Sequence, residues 1–174
     1  MKYISLTQGQ FALVDDLYYD KLNQFRWCAK KERNGNFYAV RWSLKNGNQI
    51  KIRMHRQILG LGYKDPRQID HINRNSLDNR IVNLRICTCQ QNQHNRKSPA
   101  NTTSKYKGVH WDSAKKKWRV QIIINGKSNY LGRYDDEEMA AMAYDLVARK
   151  AFGEFAYLNF SHPPLFSGPL CEYY

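Results

Sequence analysis

The chain has 174 residues, enough for one domain or two small ones, and its 28 Lys and Arg against 15 Asp and Glu give a formal net charge of +13. Its longest apolar runs, such as Ile122-Ile123-Ile124, are far too short for a membrane span or a signal peptide, so neither is expected. The four cysteines (28, 87, 89 and 171) form no C-x-x-C pair, and Cys87-Thr88-Cys89 is too tight for the usual zinc spacing. No zinc and no disulfide framework is expected, and reduced thiols fit a cytoplasmic protein.

The positive charge is sided. Residues 51–100 carry 10 basic and 3 acidic side chains and residues 101–133 carry 8 and 1, whereas residues 134–160 reverse to 2 and 6. General solvation explains the total but not this segregation, which a polyanion-binding surface requires.

Residues 1–53 read as a β-rich segment of short strands and turns. Phe37–Trp42 and Ile50–Met54 flank Asn46-Gly47, a favoured hairpin turn. Ile50, Ile52 and Met54 alternate with Lys51 and Arg53, which places the two cations on one face. That face serves either as a DNA-contacting stripe or as the charged protection of an edge strand. His55–Leu59 reads as a short helix ending at Gly60 or Gly62. Gln68–His71 and Leu84–Cys87 read as strands around a loop, 73–79, rich in turn-forming residues. Thr88 and Gln91 then form a capping box for a short helix carrying Asn92 and Asn95.

That strand–loop–strand–helix holds a set of chemically useful side chains. Asp70 and the amide oxygen of Asn92 suit a hard cation. His71, adjacent to Asp70 in a strand, points to the opposite pleat, where a proton acceptor can stand away from the cation. Asn83 can bond across the loop and fix the tautomer of His71. These parts suit metal-assisted phosphodiester cleavage, although an Asp-His pair and turn-building asparagines also occur without any such role.

Residues 94–104 lack periodicity, and the linker is set at 97–104. Farther on, Trp118, Val120, Ile122 and Ile124 alternate with Arg119, Gln121 and Ile123, and Asn125-Gly126 turns the chain toward Tyr130. A helix follows, capped by Asp135 with Glu138 at the box position, basic at Arg149-Lys150 and closed by Gly153. Its expected apolar face comprises Met139, Ala143 and Val147 with Ala140, Tyr144 and Ala151. The tail 161–174, with three prolines, reads as irregular.

The run Ile69-Asp70-His71-Ile72-Asn73-Arg74-Asn75, with Asp78-Asn79-Arg80, Asn83-Leu84-Arg85, Gln91-Asn92 and Asn95, resembles the HNH (ββα-metal) endonucleases of phage and homing type. The likeness covers about 53–96, and its module is set at 54–96. It implies Asp70 and Asn92 as metal ligands, His71 as general base and Asn83 as its support. It also implies Mg²⁺, with Mn²⁺ as a substitute, and products bearing 5′-phosphate and 3′-hydroxyl. His55 joins this catalytic set, with a packed, supporting role favoured over proton transfer.

Tyr106-Lys107-Gly108-Val109, Trp118, Leu131-Gly132-Arg133-Tyr134, Ala143-Tyr144-Asp145 and Leu158-Asn159-Phe160 resemble the AP2/ERF DNA-binding domain, over residues 105–160. The likeness implies a three-stranded antiparallel sheet backed by one helix, with Lys107, His110, Lys117, Arg119, Gln121 and Tyr130 against DNA. Ile123 and Ser128 stand where that family usually has Arg, so the plant recognition site does not transfer. Lys51, Arg53, Arg74, Arg96 and Lys97 complete the expected DNA-contacting set.

The expected whole is an α+β protein: β-rich leader, ββα module, basic linker and AP2-like domain. Its expected function is site-preferring endonuclease action on double-stranded DNA in a bacterial or phage-infected cell, with no membrane partner. One site per chain implies a nicking monomer; double-strand cleavage needs a dimer or two sequential events. The competing reading is a DNA-binding transcriptional regulator with a non-catalytic HNH scaffold.

Overall fold

A computed structural model describes residues 1–33, 35–97 and 102–161. The expected tail from 162 on, with Cys171, and residues 98–101 of the expected linker lie outside the described residues. The chain divides into two compact units, Met1–Asn95 and Arg96–Tyr174.

The first unit opens with a hairpin of β1 (Lys2–Ser5) and β2 (Phe11–Val14), followed by helix α1 (Asp16–Asn23). An antiparallel sheet of β3 (Cys28–Lys31), β4 (Phe37–Lys45) and β5 (Asn48–Arg53) follows in that order. Asn46 and Gly47 turn β4 into β5 with φ of 50° and 75°, as an Asn-Gly hairpin requires. The strand stops at Arg53, and helix α2 (Met54–Ile58) begins one residue earlier than the pattern implied. Met54 thereby leaves the strand face and enters the core, with 0% exposure.

The ββα element is β6 (Gln68–His71), β7 (Leu84–Cys87) and α3 (Cys89–His94). The Thr88 hydroxyl accepts from Gln91 N at 3.1 Å and the Gln91 side chain accepts from Thr88 N at 2.8 Å, the reciprocal cap expected from sequence.

A single core crosses the expected boundary at residue 53. Ile4, Ala12, Val14, Leu22, Trp27 and Ala39 pack with Met54, Ile58 and Leu84. The β-rich segment is therefore one structural unit with the ββα element. It also grips the motif loop: Leu13 N donates to Leu77 O and Asn79 N to Leu13 O, both at 2.8 Å. Ser76 Oγ donates to Phe37 O at 2.5 Å.

The second unit is a three-stranded antiparallel sheet, β8 (Val109–Asp112), β9 (Lys117–Ile124) and β10 (Lys127–Tyr134), packed on helix α4 (Glu137–Phe152). Val109, Val120 and Ile122 turn inward against Ala140, Ala141, Tyr144 and Ala148. Burying each Val or Ile side chain contributes about 1.5–3 kcal/mol. The helix buries its small side chains, which lets it lie close to the sheet, while Met139, Ala143 and Val147 are half-buried and Ala151 is exposed. The N-cap is Asp136, one residue after the expected Asp135; its carboxylate accepts from Met139 N at 2.8 Å. Gly108 has φ of +80°, and a Cβ there would overlap the Tyr144 ring and meet Gln121 O at 2.8 Å, so only glycine fits.

Candidate active site and nucleic-acid interface

The pleat of β6 separates two chemistries. Gln68 and Asp70 face α3, where Asn92 Nδ2 donates to Gln68 Oε1 at 2.8 Å and Asn95 Nδ2 reaches both Asp70 oxygens at 3.1 and 3.0 Å. Residues two apart on a strand and three apart on a helix share a face, so this pairing follows from both periods. Asn95 Nδ2 also lies 3.2 Å from His71 O and 3.4 Å from Ile72 O, anchoring the helix end to the strand end. Arg85, opposite Asp70 in the ladder, closes on Oδ2 through Nε at 3.0 Å and Nη2 at 2.6 Å.

His71 projects from the other face, as alternation requires. Its ring stands edge-on to His55, with centroids 5.1 Å apart, and both lie beside Tyr38 at 6.1 and 5.8 Å. His71 Nε2 is 3.5 Å from Asn79 Oδ1, and Asn79 Nδ2 donates to Leu77 O at 3.1 Å. That second bond turns Asn79 Oδ1 toward the ring, where it can accept from Nε2–H, the tautomer that leaves the lone pair on Nδ1. Burial holds His71 below the usual imidazole value, against the opposing pull of Asn79, Asp70 and Asp78. His55 is driven well below it by burial, then by His71, Arg53 and Arg56. Both rings are therefore neutral near pH 7.

Asn83 bonds across the loop, but not to the His71 ring. Its Oδ1 accepts from Asn73 N and its Nδ2 donates to Asp78 O, both at 2.8 Å. Asp78 is held in turn by Arg80 at 2.7 and 2.6 Å and by Asn73 Nδ2 at 2.8 Å. Asn83 thus fixes the loop, and Asn79 is the amide at the histidine.

The donor chemistry on the Asp70 face is one carboxylate and side-chain amides, which suits a hard cation that keeps most of its waters. Asn92 Oδ1 has no hydrogen-bond partner among the described residues, while its Nδ2 is fixed on Gln68. No group of three or more His, Cys, Asp or Glu able to hold a metal occurs among the described residues, so the donor set is unlike that of a zinc site.

Lys51 and Arg53 share a face of β5, but that face is not free: both reach Glu32 Oε1 at 3.1 Å. Arg74 lies in the motif loop with φ of +64°. In the second unit, Arg96 O accepts from Lys107 Nζ at 2.7 Å, so Lys107 is drawn to residue 96, and Lys97 is exposed. On the outward sheet face His110 and Arg133 flank Arg119, and Tyr130 pairs with Gln121. The Arg119 and Arg133 guanidinium groups lie 5.8 and 5.4 Å from the Tyr130 ring centre. Lys117 bonds Asp135 at 3.1 Å and Arg133 bonds Asp112 at 2.8 Å.

Arg85, Asn95, Asn79, Tyr38, Glu32 and Arg133 were not singled out from sequence as site residues. The Asn92–Asn95 spacing and the register of the β6–β7 hairpin carried the signal for the first two. Tyr38 and Glu32 are distant in sequence and become neighbours only through folding.

The HNH endonuclease family model matches residues 61–94, and the AP2 domain model matches residues 104–154. The chain is 33% identical over 156 residues to an HNH endonuclease of Acanthamoeba polyphaga mimivirus, covering 87% of this chain and 76% of that protein. It is 34% identical over 88 residues to Protein 3.8 of Escherichia phage T7, covering 51% and 72%. It is 41% identical over 71 residues to an AP2-like ethylene-responsive transcription factor of Arabidopsis thaliana, covering 41% and 18%. With its ββα element matched within an alignment that spans most of both chains, this chain belongs to the HNH endonuclease family and carries a C-terminal AP2 domain.

Proposed function

We propose that the protein is a divalent-cation-dependent, homing-type DNA endonuclease that nicks double-stranded DNA at a preferred site in a bacterial or phage-infected cell. The observation that carries this reading is the division of β6: a carboxylate among amides on one face, and on the other a buried histidine whose Nε2 faces Asn79 Oδ1.

In this reading Asp70 and Asn92 hold Mg²⁺, for which Mn²⁺ substitutes. A cation bound there supplies charge neutralisation at the phosphodiester and at the departing oxygen. His71 Nδ1 accepts a proton from the attacking water, whose oxygen bonds to phosphorus as the P–O3′ bond breaks. The 3′ oxygen takes a proton from solvent, leaving 5′-phosphate and 3′-hydroxyl ends. His55 and Tyr38 keep His71 desolvated, and Asn79 sets its tautomer. The outward face of β8–β10 selects the DNA, with Arg119, Gln121, His110 and Tyr130 as reading or backbone contacts.

The engagement of Asp70 by Arg85 and Asn95 favours a second reading, a DNA-binding regulator in which the ββα element is scaffold. Supercoiled-plasmid cleavage with Mg²⁺ or Mn²⁺ separates the two. The endonuclease reading expects wild type to relax the plasmid and His71→Ala to fail while still binding DNA. Absence of cation-dependent nicking on any DNA containing the binding site supports the scaffold reading instead.

A further inference from the structure

A groove of about 470 Å³ opens in the first unit, lined by Glu32, Arg33, Tyr38, Arg53, His55 and Asn92 among others. Its lining thus brings together His55, the neighbour of His71, and an amide proposed as a cation ligand. Arg56 also lines it, but its guanidinium is spent on the carbonyls of Gly62, Asp65 and Arg67 at 2.8–3.0 Å.

Two observations mark an anion seat here. Lys51 Nζ and Arg53 Nη2 converge from one face of β5 on a single atom, Glu32 Oε1, each at 3.1 Å. Arg53 Nε, moreover, is buried with no hydrogen-bond partner among the described residues. The Arg53 fork is therefore half used: one terminal nitrogen meets the carboxylate while Nε meets nothing. A phosphodiester offers two non-bridging oxygens, which match Nε and Nη2 side-on and leave an acceptor for Lys51. The chemistry that completes this site is an anion with two oxygens to offer, as a phosphodiester has.

We propose that the groove seats a DNA backbone phosphate next to the cleavage site, clamped by Lys51 and Arg53, and that Glu32 is the resident anion this phosphate displaces. The inference deepens the endonuclease reading and rests on it for the identity of the anion. Exchange of one anion for another makes the cutting unit a weak binder on its own. DNA held by the covalently attached AP2 domain arrives at high effective concentration and drives the exchange. Glu32 thereby ties engagement of the cutting unit to prior docking.

The test uses the full chain, a short fluorescein-labelled duplex of mixed sequence, and EDTA, with affinity read across a salt series. Glu32→Gln should tighten binding by about threefold or more at low salt, because no carboxylate then competes for the clamp. Arg53→Gln should weaken binding and flatten the salt dependence by about one unit of log–log slope. The gain from Glu32→Gln should vanish in the Arg53→Gln background. Asp20→Asn, on the exposed part of α1, measures the effect of removing any one negative charge. A gain from Glu32→Gln no larger than that of Asp20→Asn, or one that persists without Arg53, overturns the proposal. Melting curves check each fold. Should Arg53→Gln not fold, Arg53→Lys keeps the charge without the fork and must still lose most of the coupling. Binding is measured without divalent cation, so coupling without plasmid nicking sinks the nuclease reading alone. Nicking without coupling sinks the phosphate seat alone.

Discussion

Asp70 and Arg85 stand opposite one another in the β6–β7 ladder, and the guanidinium closes side-on over a single carboxylate oxygen, with Nε at 3.0 Å and Nη2 at 2.6 Å. Both side chains are nearly buried, at 8% and 10% exposure. The residue proposed to hold the cation is therefore also half of a structural ion pair. Removing one partner of such a pair strands the other charge, which costs about 3–5 kcal/mol. Asp70→Ala should thus lower the stability of the first unit by several kcal/mol in urea unfolding, and replacing Arg85 by Leu as well should recover part of the loss. A cost for Asp70→Ala below about 1 kcal/mol would show that the pair is not closed in solution. For the same reason, loss of cleavage in Asp70→Ala bears on chemistry only below its unfolding temperature.

His71→Ala removes a base without stranding a charge, because burial keeps the ring neutral. Single-turnover nicking should fall by about 10²- to 10⁴-fold, the usual worth of a positioned base, with DNA affinity unchanged. The imidazole is held below its ordinary value, so the wild-type rate should be flat above pH 7 with respect to this group. It should fall only once the pH drops below about 6.5. A rate limb centred well above pH 7 would mean that another group supplies the base.

The same two histidines make stability pH-dependent in a defined window. Their folded-state values are depressed, His55 far more than His71, so the unfolded chain takes up protons that the folded chain refuses. Stability of the first unit should be full above about pH 7 and decline as pH falls through 6.5 toward the folded values. The carboxylates act lower. Asp65 is held at about 2 by Arg67, and Asp78 is lowered chiefly by Arg80, so their contributions fade only as pH falls below about 4. His55→Phe should remove most of the first decline and leave the second. Urea midpoints from pH 8 to 5 test this directly.

Much of this architecture is legible in the sequence because local rules fix it. Asn46-Gly47 sets one hairpin, Thr88 and Gln91 set α3, and the alternation from Trp118 to Ile124 sets which face of β9 is buried. What local rules leave out is partner choice between elements far apart in sequence. Asn83 read as the support of His71, because both sit at the loop ends. The loop's internal bonds take the Asn83 amide instead, and Asn79 reaches the ring. Lys51 and Arg53 read as a free stripe because Glu32, 19 residues before Lys51, meets them only across the folded sheet. Residue 53 read as a boundary because the HNH likeness begins there, whereas the core continues through Met54.

The outward AP2 face offers a separate test. Arg119 and Gln121 alternate with the buried Val120 and Ile122, so replacing both by Ala leaves the core intact. The double replacement should cost about 1–3 kcal/mol of discrimination at each base that these side chains read, and first-unit stability should not change. A footprint of unchanged selectivity would move the reading role to the His110, Tyr130 and Arg133 positions or to the backbone. Arg133→Ala should also free Asp112, placing an uncompensated carboxylate on the same face and weakening binding.

Gly108 supplies the sharpest separation of the two functions. Its positive φ is unfavourable for any L side chain by about 1–2 kcal/mol, and a Cβ would press on Tyr144 and the Gln121 carbonyl, adding about 1–3 kcal/mol of overpacking. Gly108→Ala should therefore unfold the second unit at markedly lower temperature, while the core of Ile4, Trp27 and Met54 in the first unit keeps its own transition. Site selection should disappear between the two transitions. Nicking of supercoiled plasmid should persist there only weakly, less specific and more sensitive to salt, because the β6 carboxylate and His71 are untouched but DNA no longer reaches the Lys51–Arg53 clamp at high effective concentration. If selectivity and nicking are lost together at the lower transition, the cutting unit does not act without the AP2 fold.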